Sequence, residues 1–481
     1  MHKKFLTNLG LILFLNLLIK PIYILGIDRA VQNQVEAANY GIYFVIFNFC
    51  FILTIILDFG ITNFNNKNIA QNSHLLTKHF SSLFTLKLIL AVIYISVVII
   101  SGFLIGYDTR LMKLLLVQGF NMFLLFFINY LRSNLAGLHF FKTDSIVSVL
   151  DRSILIILCI FLLRMGAFKG PDGIMYFVYA QTFSYSLTAI IAFIIILGKT
   201  QTFKLTWNFP FSLMILKKSL PFAILTLLMS FYNRIDPVMI ERLLPKGVGD
   251  VQSGIYAQAF RLLDATNMIA FLTAGMLLPI FSRMLKYKES VEPLVKLIST
   301  LLLTPAIVIG VGCVFYSTEL MGMLYPKHVE ESARIFGLLM LSFIAVSTTY
   351  IFGTLLTANG NMKQLNIMAA FGMLLNITLN VILIRKMEAF GSAISSMTTQ
   401  FLTAGIQVVI AQRIFKFRVN YRLISTLIMF AIGVIAINYG SKMLHFYWIV
   451  NFAIMVSCCG VWAFFIGIIR VKSLLRVFKY G

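Results

Sequence analysis

The chain has 481 residues, of which 59% are hydrophobic and 12% charged, and its formal net charge is +23. Soluble globular proteins carry about 25% charged residues, so this composition excludes a soluble protein and indicates an all-α polytopic membrane protein. The cations fall in short loops beside apolar segments, where they set membrane topology, and no nucleic-acid partner is predicted.

Apolar runs divide the sequence into fourteen candidate membrane spans, because a spanning helix needs roughly 20 mainly apolar residues. The spans lie near residues 5–27, 41–66, 82–105, 111–137, 146–164, 174–197, 219–244, 253–282, 294–316, 332–358, 365–385, 390–411, 422–440 and 447–469. We predict an N-terminal lobe over residues 1–198, a cytoplasmic connector over 199–218 and a C-terminal lobe over 219–412. Residues 413–481 hold the last two spans and a basic tail.

The loop charges predict the orientation of the chain. The loops on the N-terminal side hold 21 Lys and Arg residues, and the loops on the opposite side hold 11. Short cytoplasmic loops carry an excess of positive charge, so we predict a multi-pass inner (plasma) membrane protein with both termini in the cytoplasm.

An internal repeat relates the two halves. Residues Ile27-Asp28-Arg29 and Gly41-Ile42-Tyr43 are echoed by Ile240-Glu241-Arg242 and Gly254-Ile255-Tyr256, at a constant offset of 213 residues. Pro21 and Pro237 interrupt the corresponding helices, since proline removes a backbone hydrogen bond. Paired interruptions in the two halves of a transporter indicate a binding site or a hinge, so Pro21 and Pro237 are predicted hinges.

Charged residues inside the spans are the main candidates for function, because ionisable groups at bilayer depth are costly and are often retained for function. Spans one to ten contain more cations than acids, and a positively charged cavity attracts an anionic group such as phosphate. The candidate substrate contacts are Lys20, Arg132, Arg152, Arg234 and Arg261. Lys87, Lys296 and Arg334 lie nearer to span ends and are expected to extend to the membrane interface.

Three acids, Asp58, Asp236 and Asp264, are candidates for coupling transport to a proton or sodium ion. The alternative is that they neutralise nearby arginines. In the same way, Asp151 with Arg152 and Arg261 with Asp264 could be internal ion pairs that hold helices together. Both interpretations stay open at this stage.

Catalytic motifs are absent from the sequence. It contains neither GxxxxGK[ST] nor HExxH, and its five cysteines lie in apolar segments without the spacing of metal ligands. No catalytic residue, metal or cofactor is therefore predicted, and transport would draw on an ion gradient rather than on ATP.

A series of short motifs resembles a known family. The motifs are Gly41-Ile42-Tyr43, Asp58-Phe59-Gly60, Arg132 leading to Ala136-Gly137-Leu138, Leu220-Pro221-Phe222, Asn233-Arg234-Ile235-Asp236, Gly254-Ile255-Tyr256-Ala257, Arg261-Leu262-Leu263-Asp264 and Leu278-Pro279-Ile280-Phe281-Ser282-Arg283. Their order resembles the Wzx-type flippases, which are the polysaccharide transporters of the multidrug/oligosaccharidyl-lipid/polysaccharide exporter superfamily.

This resemblance implies two pseudo-symmetric six-helix lobes around a central cavity, with two extra C-terminal helices. It also implies translocation of an undecaprenyl-diphosphate-linked oligosaccharide repeat unit by alternating access, in contact with membrane lipid and with the polysaccharide polymerase machinery. The related lipid II flippases carry an Arg-Asp pair late in the first helix. Asp28 and Arg29 stand at that place in reversed order and join the candidate contacts.

Two other functions are considered. A drug/cation antiporter of the same superfamily would favour an acidic cavity and usually twelve spans. A membrane-embedded polysaccharide polymerase or ligase would be expected to carry a large outer loop, whereas no loop here exceeds about 20 residues. The composition and loop lengths therefore favour the flippase.

Overall fold

The structure is a computed structural model, and it describes residues 14–62, 65, 75–138, 140–170, 172–199, 207–417 and 420–468. The described residues form helices and connecting turns, without strands. Helix α1 is followed from residue 14, passes through a π-helical segment, Tyr23–Asp28, and ends as Arg29–Val35. The later helices are α2 (Ala37–Leu53), α3 (Ile55–Asp58), α4 (Leu75–Ile105), α5 (Thr109–Gly137), α6 (Phe141–Arg164), α7 (Gly173–Leu197), α8 (Phe209–Arg234), α9 (Asp236–Leu243), α10 (Val248–Lys286), α11 (Glu292–Phe315), α12 (Ser317–Leu324), α13 (Val329–Ala358), α14 (Met362–Phe415), α15 (Tyr421–Lys442) and α16 (Trp448–Phe465).

The number of spans agrees with the sequence prediction. Among the described residues, 12 helices are long and apolar enough to cross a membrane. Helix α14 would be about 81 Å long if it were continuous, far more than the roughly 30 Å of a hydrocarbon core. Glu388 interrupts it with a φ of 52° and a ψ of −137°, between the predicted spans 365–385 and 390–411. With this division, and with α1 counted as a span, the chain has about fourteen spans.

The end of the first span differs from the prediction. The first span was predicted to end near residue 27, but the helix continues to Val35 and breaks at Glu36, where φ is 69°. The protein buries Asp28, and one of its carboxylate oxygens accepts a hydrogen bond of 2.8 Å from the Tyr40 hydroxyl. The helix therefore continues past a residue that apolar length alone places at its end.

The chain divides into two units, Met1–Gly254 and Ile255–Gly481. The first unit contains α1 to α9 and the first turns of α10, with α8 and α9 packed against α2. Its apolar core includes Leu86 on α4, Leu131 on α5 and Ala189 on α7. The lobe boundaries predicted at residues 198 and 219 stay a prediction, and residues 200–206 of the connector lie outside the described residues.

The second unit contains the last two helices, which pack against α11 and against each other. Their core joins Val311 of α11 to Val434 of α15 and to Met455 and Cys459 of α16. The two predicted C-terminal helices are thus part of the packed second unit. The basic cluster predicted to follow them begins at Arg470, outside the described residues.

Candidate functional site

Three of the predicted contacts form one cationic cluster in the first unit. Lys20 lies on α1, Arg132 on α5 and Arg152 on α6. Lys20 interacts electrostatically with Arg152, Asp151 and Arg132, in decreasing order. Helix α6 packs directly on the π-helical segment of α1, which brings these side chains of different spans together.

Arg152 is held by the residues around it. Its Nη1 donates a 2.8 Å hydrogen bond to the Tyr185 hydroxyl, and its Nε lies 3.7 Å from Oδ2 of Asp151. Its guanidinium carbon lies 4.7 Å from the ring centroid of Tyr23 and 5.4 Å from that of Tyr185. Cation–π contacts of this kind are stronger where water is excluded, so Arg152 has a defined position.

Arg132 pairs with an acid that the sequence analysis did not select. Its Nε lies 2.8 Å from Oδ1 of Asp144, and its Nη2 donates a 3.4 Å hydrogen bond to Oδ2. This two-point geometry is the strong form of an arginine–carboxylate contact. The chain turns between α5 and α6, which are only a few residues apart. That short connection is the signal in the sequence that could have indicated the pair.

Lys20 differs from the two arginines. Among the described residues it makes neither a hydrogen bond nor a salt bridge, although it is largely buried. Together with its neighbours it forms a group of three cations, of which two are matched by Asp144 and Asp151. The cluster therefore carries one unmatched positive charge at a place where electrostatic attraction is little screened.

The backbone near Lys20 is irregular. Pro21 follows it directly and cannot donate to the carbonyl one turn earlier, and the π-helical segment Tyr23–Asp28 begins two residues later. Segments of π-helix inside α-helices occur frequently at functional sites. Both the unmatched cation and the local irregularity therefore lie within one stretch of α1.

The other candidates of the first unit lie in different surroundings. Arg234 ends α8, and its guanidinium carbon lies 5.1 Å from the ring centroid of Phe51. Ile235 separates α8 from α9 but keeps right-handed helical dihedrals, and α9 begins with the fully buried Asp236 followed by Pro237. Proline at the first positions of a helix leaves no hydrogen bond unmade.

Two candidates follow the first span. Asp28 is only 1% exposed and is bonded to Tyr40. The Nε atom of Arg29 is buried without a hydrogen-bond partner among the described residues. Their role as substrate contacts stays a prediction.

Arg261 and Asp264 belong to the second unit, on α10. The Nη1 of Arg261 lies 4.0 Å from Oδ2 of Asp264, and the two side chains are 12% and 19% exposed. The spacing of three residues places them on one face of the helix. Their functional roles also stay predictions.

The prediction that Lys87 extends to the membrane interface is wrong. Its side chain is 3% exposed, and its Nζ lies 2.5 Å from Oδ1 of Asp58 and 3.0 Å from the carbonyl oxygen of Leu57. Lys87 reaches inward because a broken helix offers it both a carboxylate and a free carbonyl. Lys296 and Arg334, by contrast, are exposed.

The described residues contain no group of three or more His, Cys, Asp or Glu side chains that could hold a metal ion. The described part of the first unit presents positioned cations, aromatic rings and amides beside its acids. Such groups can bind and orient an anion.

Comparisons with known proteins give the family and the fold of the chain. The model of the polysaccharide biosynthesis protein family matches residues 6–285. No curated protein matches the sequence.

Solved structures give the fold. A lipid II flippase, MurJ, in an inward closed conformation is similar with a TM-score of 0.73 and 14% identity, over 95% of this chain and 98% of that one. An inward-facing multidrug resistance MATE family transporter of the MOP superfamily has a TM-score of 0.63 and 15% identity, over 82% and 94%. A MOP superfamily transporter from Pyrococcus furiosus has a TM-score of 0.61 and 15% identity, over 85% and 95%. The chain therefore belongs to the polysaccharide biosynthesis protein family, and it is a multi-pass membrane protein with the fold shared by the MurJ flippase and the MATE transporters.

Proposed function

We propose that this protein is a flippase that moves an undecaprenyl-diphosphate-linked oligosaccharide repeat unit across the inner membrane by alternating access. The observation that carries the proposal is the unmatched ammonium group of Lys20 beside the fixed guanidinium groups of Arg132 and Arg152. A diphosphate is an anion that such a cluster can bind, and no bond has to be made or broken.

The similar structures support a link between charge and substrate. In the Pyrococcus furiosus transporter, a reverse polarity of the binding pocket suggests a different function. Within this fold, the sign of the charge thus bears on what is carried. In the first unit of the present chain, the acids Asp144 and Asp151 are already engaged by arginines.

The roles of the remaining residues follow from their surroundings. We assign the first contact with the diphosphate to Lys20, with Arg152 and Arg132 supporting it. Arg29, Asp28, Arg234 and Arg261 remain candidate contacts for the rest of the head group. Pro21 and Pro237 would act as hinges between the two orientations.

Ion coupling is a further part of the proposal. Because Asp58 is neutralised by Lys87, we assign Asp58 a structural role. Asp236 and Asp264 remain the candidates for binding a proton or sodium ion. In the proposed topology both termini are cytoplasmic, and contact with the polysaccharide polymerase machinery stays a prediction.

A binding measurement tests the site. We expect Lys20→Glu to weaken the binding of undecaprenyl diphosphate to the purified protein by about 10-fold or more, since a charged hydrogen bond contributes about 1.5–3 kcal/mol. Lys20→Arg should retain most of the affinity. Lys296→Glu, at an exposed lysine, is the matched control. Equal affinity in Lys20→Glu and in the control would contradict the assignment.

The alternative is a drug/cation antiporter, which the same fold also supports. Its substrate is a cation, so Lys20→Glu should then strengthen substrate binding rather than weaken it. In Lys20→Glu, weaker binding of undecaprenyl diphosphate indicates the flippase. Stronger binding of an organic cation indicates the antiporter. A polymerase or ligase would instead be detected as conversion of the lipid-linked sugar.

A further inference from the structure

Two glycines that the internal repeat makes equivalent meet each other in the first unit. A Cβ atom on Gly41 would lie 1.9 Å from the carbonyl oxygen of Asp250 and 2.8 Å from the amide nitrogen of Gly254. A Cβ atom on Gly254 would lie 2.0 Å from the carbonyl oxygen of Ala37. Helices α2 and α10 thus approach so closely at this point that glycine is required on both.

The contact is reciprocal. Ala37 and Asp250 are separated by the same 213 residues as Gly41 and Gly254. Each glycine therefore packs against the backbone one helical turn before the other glycine. This is the pattern of a contact across a two-fold axis, in which the same surface is used on both sides. The repeat in the sequence predicted that the two motifs are equivalent, but not that they touch.

Side-chain contacts accompany the crossing. The side-chain amide of Gln32, near the end of α1, donates a 3.4 Å hydrogen bond to the carbonyl oxygen of Gly254. Nearby, the Arg242 guanidinium lies 4.9 Å from the ring centroid of Tyr107 and pairs with Glu241 at 2.7 Å. The contact between the helices themselves is backbone packing, whose attraction falls steeply once the surfaces separate by even 1 Å or so.

The chain is interrupted on both sides of this contact. Glu36, with a φ of 69°, separates α1 from α2 directly before the crossing. On the other side, the loop from Leu244 to Gly247 separates α9 from α10, with an extended backbone at Leu244 and a φ of 84° at Gly247. Rotations at a few residues between helices are how hinged elements move, so each partner of the crossing has a hinge beside it.

We propose that the Gly41–Gly254 crossing is a gate that closes the outer side of the transport pathway and that separates when the protein opens outward. The inference rests on the proposed function and on its topology, in which α2 and α10 begin at the outer surface. A methyl group on either glycine cannot fit between the backbones. The added methyl group therefore raises the free energy of the closed state and does not change that of the open state.

A distance measurement tests the gate without reference to transport. Spin labels are placed at Thr109→Cys and Lys246→Cys, after the five native cysteines have been replaced by alanine. Both positions are exposed and follow Tyr107 and Arg242, whose side chains are in contact. The distance distribution is compared for the parent, Gly41→Ala and Gly254→Ala. Overpacking costs about 1–3 kcal/mol, so we expect the long-distance population to rise about 10-fold relative to the short one in both variants.

Gly275→Ala is the matched control, because it lies on α10 and a Cβ atom there would meet nothing within 4 Å. If a glycine variant does not fold, Gln32→Ala weakens the crossing without added atoms and should shift the distances in the same direction. Distances that stay at the parent values in the folded variants would overturn the gate. If the distances shift in the glycine variants but the parent protein does not transport lipid-linked oligosaccharide, the gate is retained and the proposed function is refuted.

Discussion

The ammonium nitrogen of Lys87 on α4 lies 2.5 Å from Oδ1 of Asp58, at the end of α3. The chain leaves the helix there through Phe59 and Gly60, with φ values of 45° and 76°, and the carbonyl of Leu57 also binds Lys87. A cation at a helix C-terminus is favourable because the free carbonyls carry partial negative charge. This pair thus stabilises a broken helix inside the membrane.

Removing Lys87 should be strongly destabilising. We expect Lys87→Met to cost about 3–5 kcal/mol, because it leaves the carboxylate of Asp58 buried and unpaired. The double variant Lys87→Met with Asp58→Asn should be less destabilised than Lys87→Met alone. The thermal midpoint of the detergent-solubilised protein measures both, with Lys296→Met as the exposed control. Equal midpoints for Lys87→Met and the control would rule out the buried pair.

The pair between Arg132 and Asp144 can be used to test whether Arg132 contributes to transport or only to stability. Exchanging the two residues, as Arg132→Asp with Asp144→Arg, retains a pair but moves the guanidinium to α6. If Arg132 contributes to the site through its position, we expect stability to recover in the double variant while transport stays at least about 10-fold reduced. Full recovery of transport would show that the pair is structural alone.

Tyr185 should position Arg152 mainly through its ring and, to a smaller extent, through its hydroxyl. We expect Tyr185→Phe to weaken binding of undecaprenyl diphosphate by a few-fold, since it removes the 2.8 Å hydrogen bond and retains the ring. Tyr185→Ala should weaken it further, because the cation–π contact is also lost. Isothermal titration of the purified variants measures both. Identical losses for Phe and Ala would contradict a role for the ring.

The packing of the last two helices depends on Gly433. A Cβ atom there would lie 1.9 Å from Nε1 of Trp462, so we expect Gly433→Ala to lower the stability by about 1–3 kcal/mol through overpacking. Gly440→Ala is the control on the same helix, because nothing lies within 4 Å of its Cβ position. The comparison uses thermal unfolding followed by tryptophan fluorescence. A Gly433→Ala protein as stable as the control would disprove this packing.

The positions of the spans could be predicted from the sequence because apolar length is set by the thickness of the bilayer. The turn at Glu388 was anticipated by the charges at Arg385 and Lys386 between two apolar runs. The end of the first helix was not anticipated, because Asp28 is buried and accepts a hydrogen bond from Tyr40, a partner 12 residues away that hydropathy does not detect.

The site could be predicted only in part from the sequence. Charge in an apolar segment identified Lys20, Arg132 and Arg152, but which charges are matched depends on contacts between helices. Asp144 was not selected, although it engages Arg132, and Lys87 was assigned to the interface, although it is buried. The repeat likewise revealed Gly41 and Gly254 as equivalent positions, whereas their contact is a property of the folded chain.

The most direct test of the central claim is the sidedness of lipid-linked oligosaccharide in membranes with and without this protein. A glycosidase that reaches only the outer leaflet reports how much of the unpolymerised unit has crossed. If the protein is a flippase, its depletion should leave synthesis intact and hold the oligosaccharide on the cytoplasmic side, inaccessible to the enzyme. Unchanged access of the glycosidase to the oligosaccharide after depletion would contradict the flippase.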